Sequence, residues 1–174
     1  MAEEKKRAAV GIVMGSDSDY PMMSECAKTL EKFSIAYELE VLSAHRTPAR
    51  AHEYATTAAS RGLKIVVAAA GAAAHLAGVM AANTTLPVIG VPMATSTLNG
   101  LDALLATVQM PGGIPVATMA IDKAGAMNAA IFAAEILGLS DPEIARKLVA
   151  HKEELERGVA EKNARLQKQL AERK

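Results

Sequence analysis

The strongest constraint on this chain is an alternation repeated five times: a short apolar run, a turn signal, then apolar residues at helical spacing. The runs fall at residues 10–14, 37–42, 63–70, 87–93 and 115–121. After the first, Met22, Met23, Cys26, Leu30 and Phe33 recur at the step of a helix. After the second, Pro48 suits a first helical turn that leads through Ala51, Tyr54, Ala55 and Ala58. Helices to about residue 82, over 101–108 and over 124–137 complete the remaining units. Strands alternating with helices need crossover connections, and near-continuous Val/Ile/Ala strands are buried on both faces. The expected fold is therefore α/β, a doubly wound parallel sheet with strand order 2-1-3-4-5.

The rest of the chain fits around that sheet. A length of 174 residues corresponds to roughly one domain, which needs no disulfide or metal staple. Residues 1–9 mix acid and base without a signal peptide's apolar core and are expected to form a flexible tail, leaving 10–174 as the single domain. Residues 65–82 are apolar enough to raise the question of a membrane helix. His75, Gly71 and Gly78 interrupt the stretch, and its β-branched first half gives way to alanine, so strand, turn and helix are expected instead. A charged helix is expected over 141–172, opened by Asp141-Pro142-Glu143. Its Leu148, Leu155, Val159, Leu166 and Leu170 form a stripe that suits either its own domain or another subunit.

Composition narrows the function classes. Lys plus Arg and Asp plus Glu balance at 19 each, without the broad basic field of a nucleic-acid binder. The single Cys26 precludes an internal disulfide or a Cys-built zinc site and suits the cytoplasm. It falls on an apolar helix stripe, where buried filler is the expected role. Aromatics make up only 3% of the chain, so small side chains must fill much of the core, a hint of oligomerisation.

In open parallel sheets, ligands bind beyond the carboxyl ends of the strands. Gly15-Ser16-Asp17-Ser18-Asp19 follows the first strand; its hydroxyls and amides suit a phosphate, an Asp there suits ribose hydroxyls, and simple helix capping explains the same residues. Ser43-Ala44-His45-Arg46-Thr47-Pro48 follows the second strand and sets an imidazole beside a guanidinium; catalysis and an ordinary surface loop are both open. Gly71-Ala72-Ala73-Ala74-His75-Leu76-Ala77-Gly78 follows the third, with small residues that allow close approach and a histidine suited to the rim or to a structural role. His52 and His151 are expected to be solvated. No metal-ligand spacing and no GxSxG nucleophile elbow are present.

The order of these segments, followed by Val108-Gln109-Met110-Pro111-Gly112-Gly113-Ile114-Pro115-Val116, Lys123-Ala124-Gly125 and Asn128-Ala129-Ala130, closely resembles the PurE family over roughly residues 10–138. The resemblance implies a flavodoxin-like three-layer α/β sandwich, assembled as a homo-octamer with active sites at subunit junctions. It implies a role in de novo purine synthesis, with a small ribonucleotide as substrate and no metal, ATP or other cofactor. Nucleic acid and membrane are not expected partners.

Bacterial members of that family convert N5-carboxyaminoimidazole ribonucleotide to 4-carboxy-5-aminoimidazole ribonucleotide. A related branch carboxylates aminoimidazole ribonucleotide directly, and its sequence after the third strand differs from the form here. The resemblance implies that His45 moves the proton, that Ser16, Asp19 and Arg46 hold phosphate and ribose, and that Ser43, Gly71, Ala73, Ala74, His75 and Leu76 complete the site. Two other classes are a PurE-like carboxylase acting on another nucleotide and a non-catalytic flavodoxin-like module, which would need aromatics to stack on a flavin. Against the family pattern, Ala69, Ala72 and Asp122 stand where Gly is usual, Ala77 where Pro is usual, and Ala103 and Ala106 where Ser is common. An Ala at a position requiring positive φ would be strained, and its methyl could crowd the pocket.

Overall fold

The structure, a computed structural model, describes residues 7–173, so the expected tail lies for residues 1–6 outside the described residues. Five strands form, β1 (Val10–Met14), β2 (Tyr37–Val41), β3 (Ile65–Gly71), β4 (Val88–Met93) and β5 (Ala117–Thr118). Six helices accompany them, α1 (Tyr20–Lys32), α2 (Pro48–Arg61), α3 (Leu76–Asn83), α4 (Leu101–Val108), α5 (Asp122–Gly138) and α6 (Pro142–Ala171). The sheet is parallel throughout and runs β2-β1-β3-β4-β5, the order expected from the sequence. The stretch at 65–82 divides into β3 and α3, and among the described residues no helix is long and apolar enough to cross a membrane.

Burial follows position in the sheet. β1 and β4 are buried at every residue and β3 at its first five, as central strands covered on both faces should be. β2 lies at the edge, and its Glu38 and Glu40 pair with Arg61 and Arg50 of α2 at 2.9 and 3.3 Å. Charged residues along an edge discourage pairing with another chain's strand. The other edge departs from expectation: the strand expected at 115–121 is reduced to two residues, paired as Ile89↔Ala117 and Gly90↔Thr118. Pro115 has no N–H to give to the ladder, and at Asp122 the chain turns through a left-handed backbone, φ +57°, into α5.

Small residues pack the helices onto the sheet. Ala51, Ala55 and Ala58 of α2 and Ala77 of α3 are at most 2% exposed. They share a core cluster with Val13, Leu42 and Met80. The described chain falls into two compact units divided within α5, one through Ala133 and one from Ala134 onward. The first contains the sheet and α1 to α4. In the second, Asp141 caps α6 by accepting from the amides of Glu143 and Ile144 at 2.9 and 3.3 Å, while Val149, Leu155, Val159, Leu166 and Leu170 are exposed.

Candidate active site

Three turns beyond the strand ends carry the polar groups. After β1, Ser16 caps a short 3-10 turn: its Oγ accepts from the Ser18 amide at 3.3 Å and from the Ser18 hydroxyl at 2.9 Å. After β2, residues 43–47 bind one another. The Thr47 hydroxyl donates to the Ser43 carbonyl at 3.0 Å and accepts from the Ser43 amide at 3.1 Å, and the Ser43 hydroxyl accepts from the Arg46 amide at 3.0 Å. Pro48 then opens α2, as its fixed φ favours. After β3, the turn through Ala72 leaves His75 at the N-cap position of α3.

These turns surround one cavity of about 220 Å³. Ser16, Asp19, Ser43, His45 and Arg46 lie in its wall, as do Gly71, Ala73, His75 and Leu76. Ala74, expected beside Ala73, is instead 1% exposed and does not reach the wall, because the chain turns its methyl into the core. The wall also includes Gly15, Ser18, Ala44, Ala70 and Thr95. Thr95 follows β4, where the rule that ligands sit beyond strand ends would have placed a candidate. No Tyr or Phe contributes to the wall.

The cavity has two chemically distinct groups. Arg46 donates from Nη2 to the Gly15 carbonyl at 3.0 Å and from Nε to the Ser43 hydroxyl at 3.4 Å, which holds its guanidinium across the ends of β1 and β2. Among the described residues it has no carboxylate partner, so its charge is available to an anion. The second group is a histidine pair: His45 Nε2 and His75 Nδ1 are 2.9 Å apart, with the rings edge to face at 5.0 Å. One nitrogen must donate and the other accept, so the pair shares a proton in either tautomer. His52 is exposed yet bonds Asn83 through Nδ1 at 2.8 Å, and His151 is half-buried. Among the described residues no cluster of His, Cys, Asp and Glu could hold a metal ion.

The family model described as AIR carboxylase matches residues 9–158. The chain belongs to the AIR carboxylase family. It is 58% identical over 158 residues to the N5-carboxyaminoimidazole ribonucleotide mutase of Thermotoga maritima, covering 91% of each chain. With the mutase of Pyrococcus abyssi it shares 60% over 148 residues, 85% of this chain and 84% of that one. Its structure matches that of Treponema denticola PurE with a TM-score of 0.82 at 28% identity, over 90% of this chain and 97% of that one.

The acidic residue of the wall is electrostatically unusual. Asp19 is 3% exposed, and its carboxyl is pushed above the ordinary 3.8, first by burial and then by the neighbouring charges of Asp122 and Asp17, against a bond from the Ser16 backbone. Burial pushes the Cys26 thiol up to about 12, so it remains protonated filler. Of the departures from the family pattern, Ala72 and Asp122 both adopt positive φ, +52° and +57°. The Ala72 backbone is thus strained, but its methyl lies outside the cavity wall. Ala69, Ala77 and Ala103 are core residues, each at most 2% exposed.

Proposed function

We propose that this protein converts N5-carboxyaminoimidazole ribonucleotide to 4-carboxy-5-aminoimidazole ribonucleotide in purine biosynthesis. The observation that carries the reading is one cavity combining an anion cradle, Arg46 with Ser16 and Ser18, and a hydrogen-bonded imidazole pair. Arg46 and the serines hold the substrate phosphate, Asp19 and Ser43 the ribose side, and the Gly71–Ala73 turn with Leu76 encloses the base. The relatives named as mutases in Thermotoga maritima and Pyrococcus abyssi support the same assignment.

The chemistry needs one proton donor that recovers its proton. Protonation of the carboxylated exocyclic nitrogen breaks the N–C bond and releases carbon dioxide within the cavity. The ring carbon then attacks that carbon dioxide, and loss of its hydrogen restores the aromatic ring. His45 gives the first proton and takes the second, so the cycle closes without net proton change. His75 orients the His45 imidazole, and the Ala73 methyl helps exclude water while carbon dioxide is free. No external carbon dioxide, cofactor or metal enters this sequence.

We further propose a homo-octamer in the cytoplasm. Leu98, Leu101, Leu105 and Val108 are each 48–60% exposed and recur at helical steps on and before α4, and the exposed apolar residues of α6 form a second surface. The buried Cys26 suits a reducing compartment. Sedimentation should give a stable assembly of about eight chains; a monomer at micromolar concentration would remove this part of the proposal.

The decisive assay incubates the protein with chemically prepared N5-carboxyaminoimidazole ribonucleotide and follows its isomer by ultraviolet absorbance. Conversion without added bicarbonate supports the mutase. Product formed only from aminoimidazole ribonucleotide and bicarbonate would instead establish direct carboxylation.

A further inference from the structure

We propose that Thr95 contacts the carboxylate-bearing end of the substrate's imidazole through its hydroxyl, and that Asp122 is the positioning residue that holds it there. The proposal rests on the mutase reading above. Thr95 is exposed in the cavity wall, and its hydroxyl has no hydrogen-bond partner among the described residues. It is a hydroxyl with no bond to the protein, in a wall where the Ser16, Ser18 and Ser43 hydroxyls each take part in at least one.

Its place in the cavity follows from the sheet order. The polar ends of β2, β1, β3 and β4 succeed one another as Arg46, Ser16, Gly71 and Thr95. Neighbouring strands lie roughly 4.8 Å apart, so Thr95 is on the opposite side of β3 from the Arg46 cradle. A ribonucleotide with its phosphate at that cradle extends its base towards Gly71 and Thr95. The migrating group is a carboxylate, and a hydroxyl donor to a carboxylate forms a charge-assisted hydrogen bond.

Gly71 supports the same geometry. A side chain there would overlap the Thr95 hydroxyl and approach the Met93 carbonyl at 3.1 Å. The glycine thus admits Thr95 to the cavity floor at the end of β3.

Asp122 supplies the restraint. Its Oδ1 accepts from the Ala94 amide at 2.8 Å, across 28 residues of sequence. Among the described residues this is the hydrogen bond that ties the turn between β4 and α4 to a distant part of the chain; its other bonds, such as Leu98 amide to Ser96 hydroxyl at 3.2 Å, are local. Asp tolerates the left-handed backbone at φ +57° better than most residues, and unlike Gly it also brings an acceptor.

The test compares two ligands by calorimetry: aminoimidazole ribonucleotide, which lacks the carboxylate, and its 4-carboxy derivative. Thr95→Val, similar in shape but without the hydroxyl, should weaken the carboxylated ligand roughly tenfold or more and leave the other within about twofold. Thr95→Ser should behave as the parent. Asp122→Gly keeps the backbone conformation but loses the tether, and should reproduce the selective loss; Asp122→Asn keeps an acceptor and should restore affinity. Equal losses for both ligands, or none, in Thr95→Val would overturn the contact. Unchanged selectivity in Asp122→Gly, or failure of Asp122→Asn to restore it, would overturn the positioning role. If the parent protein neither binds nor interconverts the carboxylated nucleotides, the mutase reading itself fails, an outcome distinct from a parent that turns over while Thr95→Val discriminates nothing.

Discussion

The turn after β2 and the turn after β4 border the same cavity but are held in opposite ways. Residues 43–47 bind themselves: Ser43 and Thr47 exchange hydrogen bonds through backbone and side chain, and Pro48 fixes the exit into α2. The turn carrying Thr95 depends on Asp122, which arrives from the start of α5. The locally bonded turn sets the backbone that carries His45 and Arg46, while their side chains reach out to His75 and Gly15. The remotely tied one makes its geometry conditional on a second element, and the reacting groups should sit on the former.

Removing the imidazole from the self-bonded turn is expected to have the largest effect. His45→Asn retains approximate size and polarity but cannot shuttle a proton, so turnover should fall ~10²–10⁴-fold while ligand affinity survives. Single-turnover kinetics with the carboxylated substrate, beside calorimetry with aminoimidazole ribonucleotide, separate the two quantities. Near-normal turnover would remove His45 from the chemistry. His75→Asn should produce a smaller loss of turnover, because it deletes the 2.9 Å partner of His45 but leaves the shuttling ring in place.

Arg46 tests whether that turn really holds itself. Arg46→Ala deletes two bonds, to Gly15 and Ser43, yet leaves the Ser43–Thr47 set intact. Binding of aminoimidazole ribonucleotide should weaken roughly ten- to hundredfold, about 1.5–3 kcal/mol for a lost charge-assisted contact, with the melting temperature little changed. A large fall in melting temperature would mean that Arg46 holds the turn together, and the contrast between the two turns would break.

The same contrast explains what the sequence disclosed. The central strands were readable, each to within two residues of its bounds, because β1, β3 and β4 are continuous apolar runs bounded by turn residues. The Ser43 turn was readable because every group that shapes it lies within a few residues. β5 was overestimated, since edge pairing depends on how the chain leaves the sheet, and periodicity contains no trace of that. Ala73 and Ala74 look equivalent in sequence, but a single turn of backbone puts one on the wall and the other in the core. The strand-end rule points to the residues after β4 but does not single out Thr95, whose significance lies in Gly71 and Asp122, both more than 20 residues away. The hydrogen bond between His45 and His75 likewise spans 30 residues and has no local signature.

Gly71→Ala probes the remotely tied turn from below. Its methyl would overlap the Thr95 hydroxyl and crowd the Thr95 Cβ and the Met93 carbonyl at 3.0 and 3.1 Å, so rotating the hydroxyl away does not relieve the whole contact. Such overpacking costs about 1–3 kcal/mol, and each kcal/mol lowers the melting temperature of a chain this size by roughly 2–4 °C. Adding Thr95→Ala should return most of the loss, and calorimetric melting of the four corners of the cycle measures the coupling. Additive losses would mean that Gly71 and Thr95 are independent.

The smallest effect concerns the charge that the tether brings with it. Asp122 lies near Asp19, and burial first, then the charges of Asp122 and Asp17, raise the Asp19 carboxyl above its ordinary 3.8. Folding therefore makes this group bind its proton more tightly than in the unfolded chain. Its burial costs least below about 3.8; stability then declines as pH rises through the interval up to the raised value, and above it the full penalty of an ionised, desolvated carboxylate applies. At neutral pH Asp19→Asn should accordingly raise the melting temperature of the unliganded protein slightly, while weakening the ribonucleotide by replacing a charge-assisted contact to its sugar with a neutral one. Asp122→Asn should reproduce only part of the thermal gain, because burial, which that substitution leaves intact, is the larger cause. Both gains should shrink as the pH is lowered towards 4. A gain that persists at acid pH, where Asp19 is already neutral, would show that the substitution acts through packing rather than charge.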